Sequence, residues 1–131
     1  MQPSLLLDTH IVVRWMTRAS QLSREQSRAI DASLLRQEPL GVSAITLMEI
    51  AVLSEGRLRL KRPIAELLSD LRSPVFEVLP LTLDIASEIA ALASLRDPAD
   101  RAFVATARVH RLRLVTSDQR IIESKLVNVI D

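Results

Sequence analysis

The sequence Ser4-Leu5-Leu6-Leu7-Asp8 is the strongest indication of the fold, because it is a short apolar run that stops at a charge. Three consecutive leucines leave no polar face, which is typical of a strand buried on both sides of a parallel sheet. Asp8 follows directly, at the point where that strand should end. The segment therefore predicts a buried strand with a carboxylate at its carboxyl end.

The rest of the chain alternates between strand-like and helical segments. Further strands are predicted at residues 40–43, 76–79, 113–116 and 127–130. The first helix is predicted to begin at about Ile11, and the second follows a capping box of Ser23 and Gln26. The third is predicted from residue 45 to a stop at Gly56, and the remaining three cover residues 63–71, 82–92 and 97–110. Strands that alternate with helices imply right-handed crossovers. We therefore expect an α/β fold of three layers, with helices on both faces of a central parallel sheet of about five strands.

Length and hydropathy set the broad class of the protein. The 131 residues, of which 48% are apolar, fit a single domain over residues 1–131. No apolar run approaches the roughly 20 residues of a membrane span. The charge at Asp8 comes too early for a signal peptide. We expect a cytoplasmic protein.

Composition excludes several kinds of site. The chain has no cysteine and two histidines, which excludes thiolate zinc sites and His-rich metal sites, so any metal would be held by oxygen. Two glycines cannot form a Gly-rich phosphate loop or a dinucleotide fingerprint. One Trp, two Phe and no Tyr are too few to stack successive bases. The net charge of +1 argues against a protein that coats nucleic acid by charge alone.

Five acidic residues fall where the predicted fold can bring them to one crevice beyond the carboxyl ends of the strands. They are Asp8 and Asp118 after strands, Glu49 in the helix after the second strand, and Asp97 and Asp100 at the start of a helix. Each also has an ordinary explanation. Asp8 and Asp97 can cap helices, and Asp118 lies in a first turn, where the helix dipole favours an anion. Asp100 lies three residues after Asp97 and Glu49 three residues after Thr46, which is the spacing of a capping-box acid.

Taken together, the acids indicate a metal site. Several carboxylates in one crevice of low dielectric repel one another and raise each other's pKa unless a cation neutralises them. Oxygen ligands select Mg²⁺ or Mn²⁺ over zinc. Such ions can generate hydroxide from water and hold the attacking and leaving oxygens of a phosphodiester in line. The residues themselves therefore predict metal-dependent phosphoester hydrolysis.

The same segments resemble the PIN-domain ribonucleases, and most closely the VapC-type toxins of prokaryotic toxin–antitoxin pairs. The matching pieces are residues 5–10 with Trp15, 42–45 with 49–51, 97–101 with 105–107, and 114–118. They occur in the correct order and cover nearly the whole chain. The resemblance implies a PIN fold and an endoribonuclease, dependent on Mg²⁺ or Mn²⁺, that slows translation. It also implies a homodimer and a small antitoxin that presents a basic residue to the acids.

The resemblance assigns roles to individual residues. It implies that the catalytic, metal-binding acids are Asp8, Glu49, Asp100 and Asp118, with Asp97 as a lesser metal ligand beside the site. It implies that Thr116 and Ser117 support the fourth acid without binding metal themselves. His10 follows the first acid, and we interpret it as a first-turn residue satisfied by a nearby group and not as a catalytic one.

Basic clusters are the candidates for binding RNA phosphates around an acidic pocket. The residues concerned are Arg57, Arg59, Lys61 and Arg62 in one cluster, and Arg108, Arg111 and Arg113 in another. Most such clusters are only solvated faces. Two other functions stay open: an inactive PIN-type module that binds RNA or protein, and a phosphatase. The phosphatase is disfavoured because Asp8-Thr9-His10 lacks the second acid of an Asp-x-Asp motif.

Overall fold

Five parallel strands form one sheet in the computed structural model, which describes residues 1–53 and 62–131. The strands are β1 (Leu5–Leu7), β2 (Leu40–Ser43), β3 (Phe76–Leu79), β4 (Arg113–Val115) and β5 (Val129–Ile130). Their order across the sheet is β3-β2-β1-β4-β5, so β1 lies in the centre. The predicted buried strand is thus the middle strand of the sheet.

Helices connect the strands and cover both faces of the sheet. They are α1 (Thr9–Thr17), α2 (Arg24–Leu35), α3 (Ala44–Val52), α4 (Ile64–Asp70), α5 (Leu83–Ala91), α6 (Pro98–His110) and α7 (Gln119–Ser124), with a short 3-10 turn at Ala19–Gln21. Within the described ranges, none of these helices has the length and apolar character that a membrane crossing requires.

The three leucines of β1 explain why the fold has three layers. Leu5 and Leu7 belong to a core cluster with Ile11, Val12 and other residues of the helices before β3, whereas Leu6 belongs to a second cluster built mainly from α5 and α6. All three side chains are fully buried. Successive side chains of a strand point to opposite faces, so an apolar run without alternation requires a core on each side. The predicted α/β/α architecture is confirmed.

Gly41 permits the close approach of β1 and β2. It lies opposite Leu6 in the strand register. A Cβ atom at this position would come within 2.6 Å of the Leu5 carbonyl oxygen, which belongs to the backbone and cannot rotate away. A side chain here would therefore push the two central strands apart.

The predicted boundaries differ from the observed ones at a few ends. Helix α1 begins at Thr9, two residues before the predicted start, because Asp8 caps it immediately after β1. Strand β5 is limited to Val129–Ile130. The predicted helix stop at Gly56 lies outside the described residues. The capping box of Ser23 and Gln26 at the start of α2 is confirmed.

Candidate active site

A crevice opens where the strand order reverses. From β1 the chain turns to β2 on one side, and after β3 it crosses to β4 on the other side of β1. Such a reversal leaves a gap beyond the carboxyl ends of the two strands, here β1 and β4. A cavity of about 640 Å³ lies at this point, and its lining includes all five predicted acids, Asp8, Glu49, Asp97, Asp100 and Asp118. The fold thus brings together residues spread over most of the chain.

Three of the five acids cap helices and line the cavity at the same time. Asp8 Oδ1 accepts the backbone N–H of Thr9 at 2.7 Å. Asp97 Oδ1 accepts the N–H of Asp100 at 3.0 Å, and Asp118 Oδ1 accepts that of Arg120 at 2.9 Å. The amino ends of α1, α6 and α7 are therefore fixed at the cavity, where their partial positive charges favour anionic groups. Capping and a place in the site are compatible roles for the same carboxylate.

Thr116 links the first acid to the fourth. Its hydroxyl donates a hydrogen bond of 2.6 Å to Asp8 Oδ2 and accepts the N–H of Asp118 at 3.0 Å. Thr116 is fully buried. A single hydroxyl therefore orients a carboxylate of β1 and the backbone that carries the acid after β4.

Gln26 supports this region from α2, a second role that no pattern in the sequence predicts. Its side-chain oxygen accepts the N–H of Ser23 at 3.0 Å, as the capping box requires. Its amide nitrogen donates to Ser117 Oγ at 3.0 Å and to the Thr116 carbonyl at 3.4 Å. Gln26 is 1% exposed. Gln26 and Ser117 are 91 residues apart, so no short sequence pattern predicts their contact. The sequence therefore indicated only the role of Gln26 in the capping box of α2.

Glu49 is held by the hydroxyl of Thr9, which also contacts the hydroxyl of Thr46. Thr9 Oγ1 donates to Glu49 Oε1 at 2.6 Å, and it lies 2.9 Å from Thr46 Oγ1. The predicted capping box of Thr46 and Glu49 is wrong, because Ser43 is the residue that caps α3. Thr46 is instead a buried helical residue, and the Glu49 side chain turns toward the start of α1.

His10 is a neutral bridge at the edge of the cavity. Its Nε2 accepts the N–H of Ser117 at 3.0 Å, while its Nδ1 lies 3.6 Å from Asp8 Oδ2. Burial lowers the pKa of His10, and this effect outweighs the opposing attraction of Asp8. The expectation that a nearby backbone group satisfies this histidine is confirmed.

Negative charge is unfavourable in the cavity. Asp8 and Asp100 are only 5% and 7% exposed. Burial, followed by the charges of Asp118 and Asp97, raises the pKa of Asp100 to about 6. Burial also raises the pKa of Glu49, and this effect outweighs the hydrogen bond from Thr9, which lowers it. The charges of Asp8 and Asp97 make smaller contributions to the rise. A cation among these oxygens would remove the repulsion.

Arg120 already supplies part of that positive charge. Its Nη2 lies 3.4 Å from Asp100 Oδ2 and 3.1 Å from Asp118 Oδ2. Burial raises the pKa of Asp118, but the hydrogen bonds from Arg120 outweigh it and lower the pKa overall. In the described ranges, no group of three or more His, Asp or Glu side chains is arranged to hold a metal ion as the side chains stand. Shared ligation therefore requires the carboxylates to rotate.

Among the described residues, the arginines that line the cavity are not those of the predicted basic clusters. They are Arg14 of α1, Arg18 directly after α1, and Arg120. The sequence missed them because they are isolated along the chain and not clustered. Arg14 also donates to Ser117 Oγ at 3.4 Å.

The predicted basic residues are placed elsewhere or lie outside the described ranges. Arg62 forms ion pairs with Glu66 and Asp70. Arg108 pairs with Glu88 at 2.6 Å, about 12 Å along α6 from Asp100. Arg111 precedes β4 and is therefore at the opposite edge of the sheet. Among the described residues these three do not line the cavity. Arg57 and Arg59 are not described.

Comparison with known proteins decides the family. A family model for the PIN domain matches residues 5–125. The chain belongs to the PIN domain family. The strand order and the acidic cavity described above are thus those of a PIN domain.

This PIN domain is similar to several characterised relatives. It is 37% identical to Ribonuclease VapC22 of Mycobacterium tuberculosis over 121 residues, which are 90% of this chain and 89% of the relative. The crystal structure of FitAcB from Neisseria gonorrhoeae matches with 26% identity and a TM-score of 0.68, over 97% of this chain and 96% of that one. A DNA-bound VapBC from Salmonella typhimurium shares 21% identity and a TM-score of 0.70, over 100% of this chain and 98% of that one. The last likeness supports the fold alone.

Proposed function

We propose that this PIN domain is a Mg²⁺- or Mn²⁺-dependent endoribonuclease toxin that hydrolyses RNA phosphodiester bonds and inhibits translation. The observation that carries the proposal is the convergence of five acids on one cavity, in a chain that is 37% identical to Ribonuclease VapC22. A cytoplasmic site of action is part of the proposal, because RNA engaged in translation is found there.

The chemistry of the cavity fits a hard divalent cation. Its candidate ligands are carboxylate oxygens, which Mg²⁺ and Mn²⁺ prefer. We assign ligation to Asp8, Glu49, Asp100 and Asp118, with Asp97 as a lesser contributor beside them. The cation supplies, when bound, an activated water and stabilisation of the charge that develops on the phosphodiester. The raised pKa of Asp100 supports this assignment, since a cation relieves the cost of its ionised form.

The remaining residues of the site orient these groups. Thr116 directs Oδ2 of Asp8, and Thr9 directs Oε1 of Glu49. Ser117 carries the contact from Gln26 and the backbone contact to His10. Arg14 and Arg18 lie on the lining of the cavity and can hold phosphates that flank the cleaved bond. With few aromatic residues in the chain, RNA is held by its backbone and shape more than by stacked bases.

Partners form the second part of the proposal. Solved relatives include a toxin–antitoxin complex from Klebsiella pneumoniae and VapBC complexes, so we propose a small antitoxin that covers the cavity with a basic residue. We also propose a homodimer. Four large apolar side chains are exposed and could be buried in a dimer interface. They are Met48 and Val52 on α3, Leu81 just before α5, and Leu83 at its first position.

An inactive PIN-type module that binds RNA or protein is the competing function. The arrangement of the acids favours it in one respect, since within the described ranges no three of them are placed to share an ion. Retention of all the acids argues against it. The two functions differ in whether RNA is cut.

The test is cleavage of a defined pool of cellular RNA by purified protein, with Mg²⁺, with Mn²⁺ and with chelator. The wild type and the variants Asp8→Asn and Asp31→Asn are compared, because Asp31 is an exposed acid of α2 away from the cavity. We expect metal-dependent cuts by the wild type and Asp31→Asn, and none by Asp8→Asn. RNA binding without cuts in either metal would establish the inactive module instead.

A further inference from the structure

Arg120 lies against two of the carboxylates that we assign to the divalent cation. It is the one arginine in residues 1–53 and 62–131 whose ion pairs reach two of the five acids, Asp100 and Asp118. Its Nε is also 3.4 Å from Asp118 Oδ1. A guanidinium and a divalent ion at these oxygens repel each other, because they carry like charges at short separation. Binding of the ion therefore favours departure of the guanidinium.

The Arg120 side chain is free to leave while its backbone stays fixed. The side chain is 67% exposed, so rotation into solvent meets little packing. The backbone N–H of Arg120 is held by the Asp118 cap at the start of α7. A rotated guanidinium would therefore remain at the mouth of the cavity. The guanidinium end of both ion pairs is exposed although the two carboxylates are largely buried, and this solvation keeps the displacement accessible.

A displaced Arg120 would meet the substrate. Its planar fork of N–H groups matches a phosphate, and RNA is the polyanion that must reach these acids. Neutralising Asp100 and Asp118 with a metal removes the attraction that holds the guanidinium inside. The same event therefore exposes a phosphate-binding group and completes the cation site.

We propose that Arg120 exchanges between two anionic partners: the Asp100 and Asp118 carboxylates in the metal-free protein, and an RNA phosphate once a divalent cation occupies those carboxylates. This inference rests on the proposed function, which supplies the metal and the RNA. It predicts opposite effects of one substitution on two affinities, whereas a residue that only maintains the fold would weaken both.

The experiment measures two affinities for the wild type, Arg120→Gln, Arg120→Lys and Arg28→Gln. Arg28 is the matched control, since it forms an exposed ion pair with Glu25 on α2. Mn²⁺ affinity is measured without RNA by electron paramagnetic resonance. Affinity for a cleavage-resistant 2′-O-methyl RNA is measured at saturating Mn²⁺ over a range of KCl. Circular dichroism confirms that each variant is folded.

We expect Arg120→Gln to bind Mn²⁺ about two- to tenfold more tightly, because the two ion pairs of the guanidinium no longer compete with the cation. It should bind RNA more weakly, with a salt slope shallower by about 0.7 for the lost phosphate contact. Arg120→Lys keeps the charge and should retain most of the wild-type Mn²⁺ affinity, and Arg28→Gln should change neither value.

Two results separate this inference from the proposed function. Metal-dependent cleavage by the wild type, with equal Mn²⁺ affinity for the wild type and Arg120→Gln, would overturn the exchange alone. Tighter Mn²⁺ binding and weaker RNA binding by Arg120→Gln, with no cleavage by any protein, would overturn the nuclease and support the exchange. An unchanged RNA affinity for Arg120→Gln would also contradict the exchange.

Discussion

The hydroxyl of Thr116 donates a hydrogen bond of 2.6 Å to the carboxylate of Asp8, across the junction of β1 and β4. Both residues are buried, so the surrounding structure limits the positions that the two groups can take. The bond fixes the orientation of the acid at the centre of the sheet. The same hydroxyl accepts the N–H of Asp118, so two of the proposed ligands depend on one oxygen atom.

Replacement of Thr116 tests this dependence. Thr116→Val removes the hydroxyl at nearly constant volume and takes away the hydrogen-bond partner of the buried Asp8 Oδ2 and of the partly buried Asp118 N–H. We expect a loss of about 1–3 kcal/mol in the free energy of unfolding, measured in urea, and a fall in cleavage rate of about 10–100-fold. Thr116→Ser retains the hydroxyl and should stay near the wild type. Equal rates for the Val and Ser variants would show that Asp8 is oriented by other contacts.

Asp100 gives the metal-free protein a distinct dependence on pH. Its pKa is about 6 in the fold, above the ordinary value of 3.8. The neutral form is therefore favoured by folding, and the associated stability, complete below pH 3.8, is lost as the pH rises through 6. Asp100→Asn cannot ionise. We expect it to be more stable than the wild type by about 1–3 kcal/mol at pH 8 in chelator, with little difference at pH 3.5.

Thermal unfolding of both proteins at several pH values measures this effect. Asp31→Asn, which removes an exposed acid of α2, controls for the change in net charge. Saturating Mg²⁺ should reverse the order at pH 8, since only the wild type retains the full set of carboxylates. A difference between Asp100→Asn and wild type that does not vary with pH contradicts the assignment of the raised pKa.

Gln26 is predicted to matter to the site and not only to α2. Gln26→Met keeps the volume but removes the amide that contacts Ser23, Ser117 and the Thr116 carbonyl. We expect a loss of about 1–3 kcal/mol in stability and weaker Mn²⁺ binding. Ser23→Ala removes the cap of α2 and an exposed hydrogen bond to the Asp131 carbonyl, but none of the contacts of Gln26 to Ser117 and Thr116, and should cost about 1 kcal/mol with Mn²⁺ affinity unchanged. If both variants bind Mn²⁺ as the wild type does, the role of Gln26 is confined to the helix.

Gly41 is predicted to be the least replaceable position of the central strands. The Cβ of Gly41→Ala would come within 2.6 Å of the Leu5 carbonyl oxygen. Since the clash is with backbone, β1 and β2 must separate, and we expect a loss of about 1–3 kcal/mol on thermal or urea unfolding. Ala65→Gly, at an exposed position of α4, is a control for a change of similar size. A melting temperature equal to or above that of the wild type would falsify the close approach.

Much of the fold was predictable because its signals are local. Three leucines in succession required an apolar core on each face of the sheet, and the Ser23 and Gln26 pattern indicated the start of a helix. The acids could be assigned to one edge because they follow strands or open helices, and carboxyl ends of parallel strands share an edge. The placement of all five around one cavity agrees with that prediction.

The contacts that connect these elements could not be predicted. The approach of Gln26 to Ser117, and of Arg120 to Asp100, depends on the order of strands in the sheet, which hydropathy does not encode. The basic residues show the complementary case, in which residues close together in the sequence do not lie at the cavity. Arg62 and Arg108 are clustered with other basic residues in the sequence, yet both form ion pairs away from the cavity. Proximity along the chain did not indicate proximity to the site.

At the capping aspartates, a change to asparagine removes the charge but keeps the helix cap, so the effects on activity and on folding can be separated. Asp8, Asp97 and Asp118 each begin a helix through a side-chain oxygen. Asparagine has the same oxygen and caps a helix about as well as aspartate, whereas alanine costs about 1 kcal/mol at each helix. A change from Asp to Asn needs a single base substitution. A single base change can therefore remove one negative charge from the cavity while leaving the helix cap at that position in place.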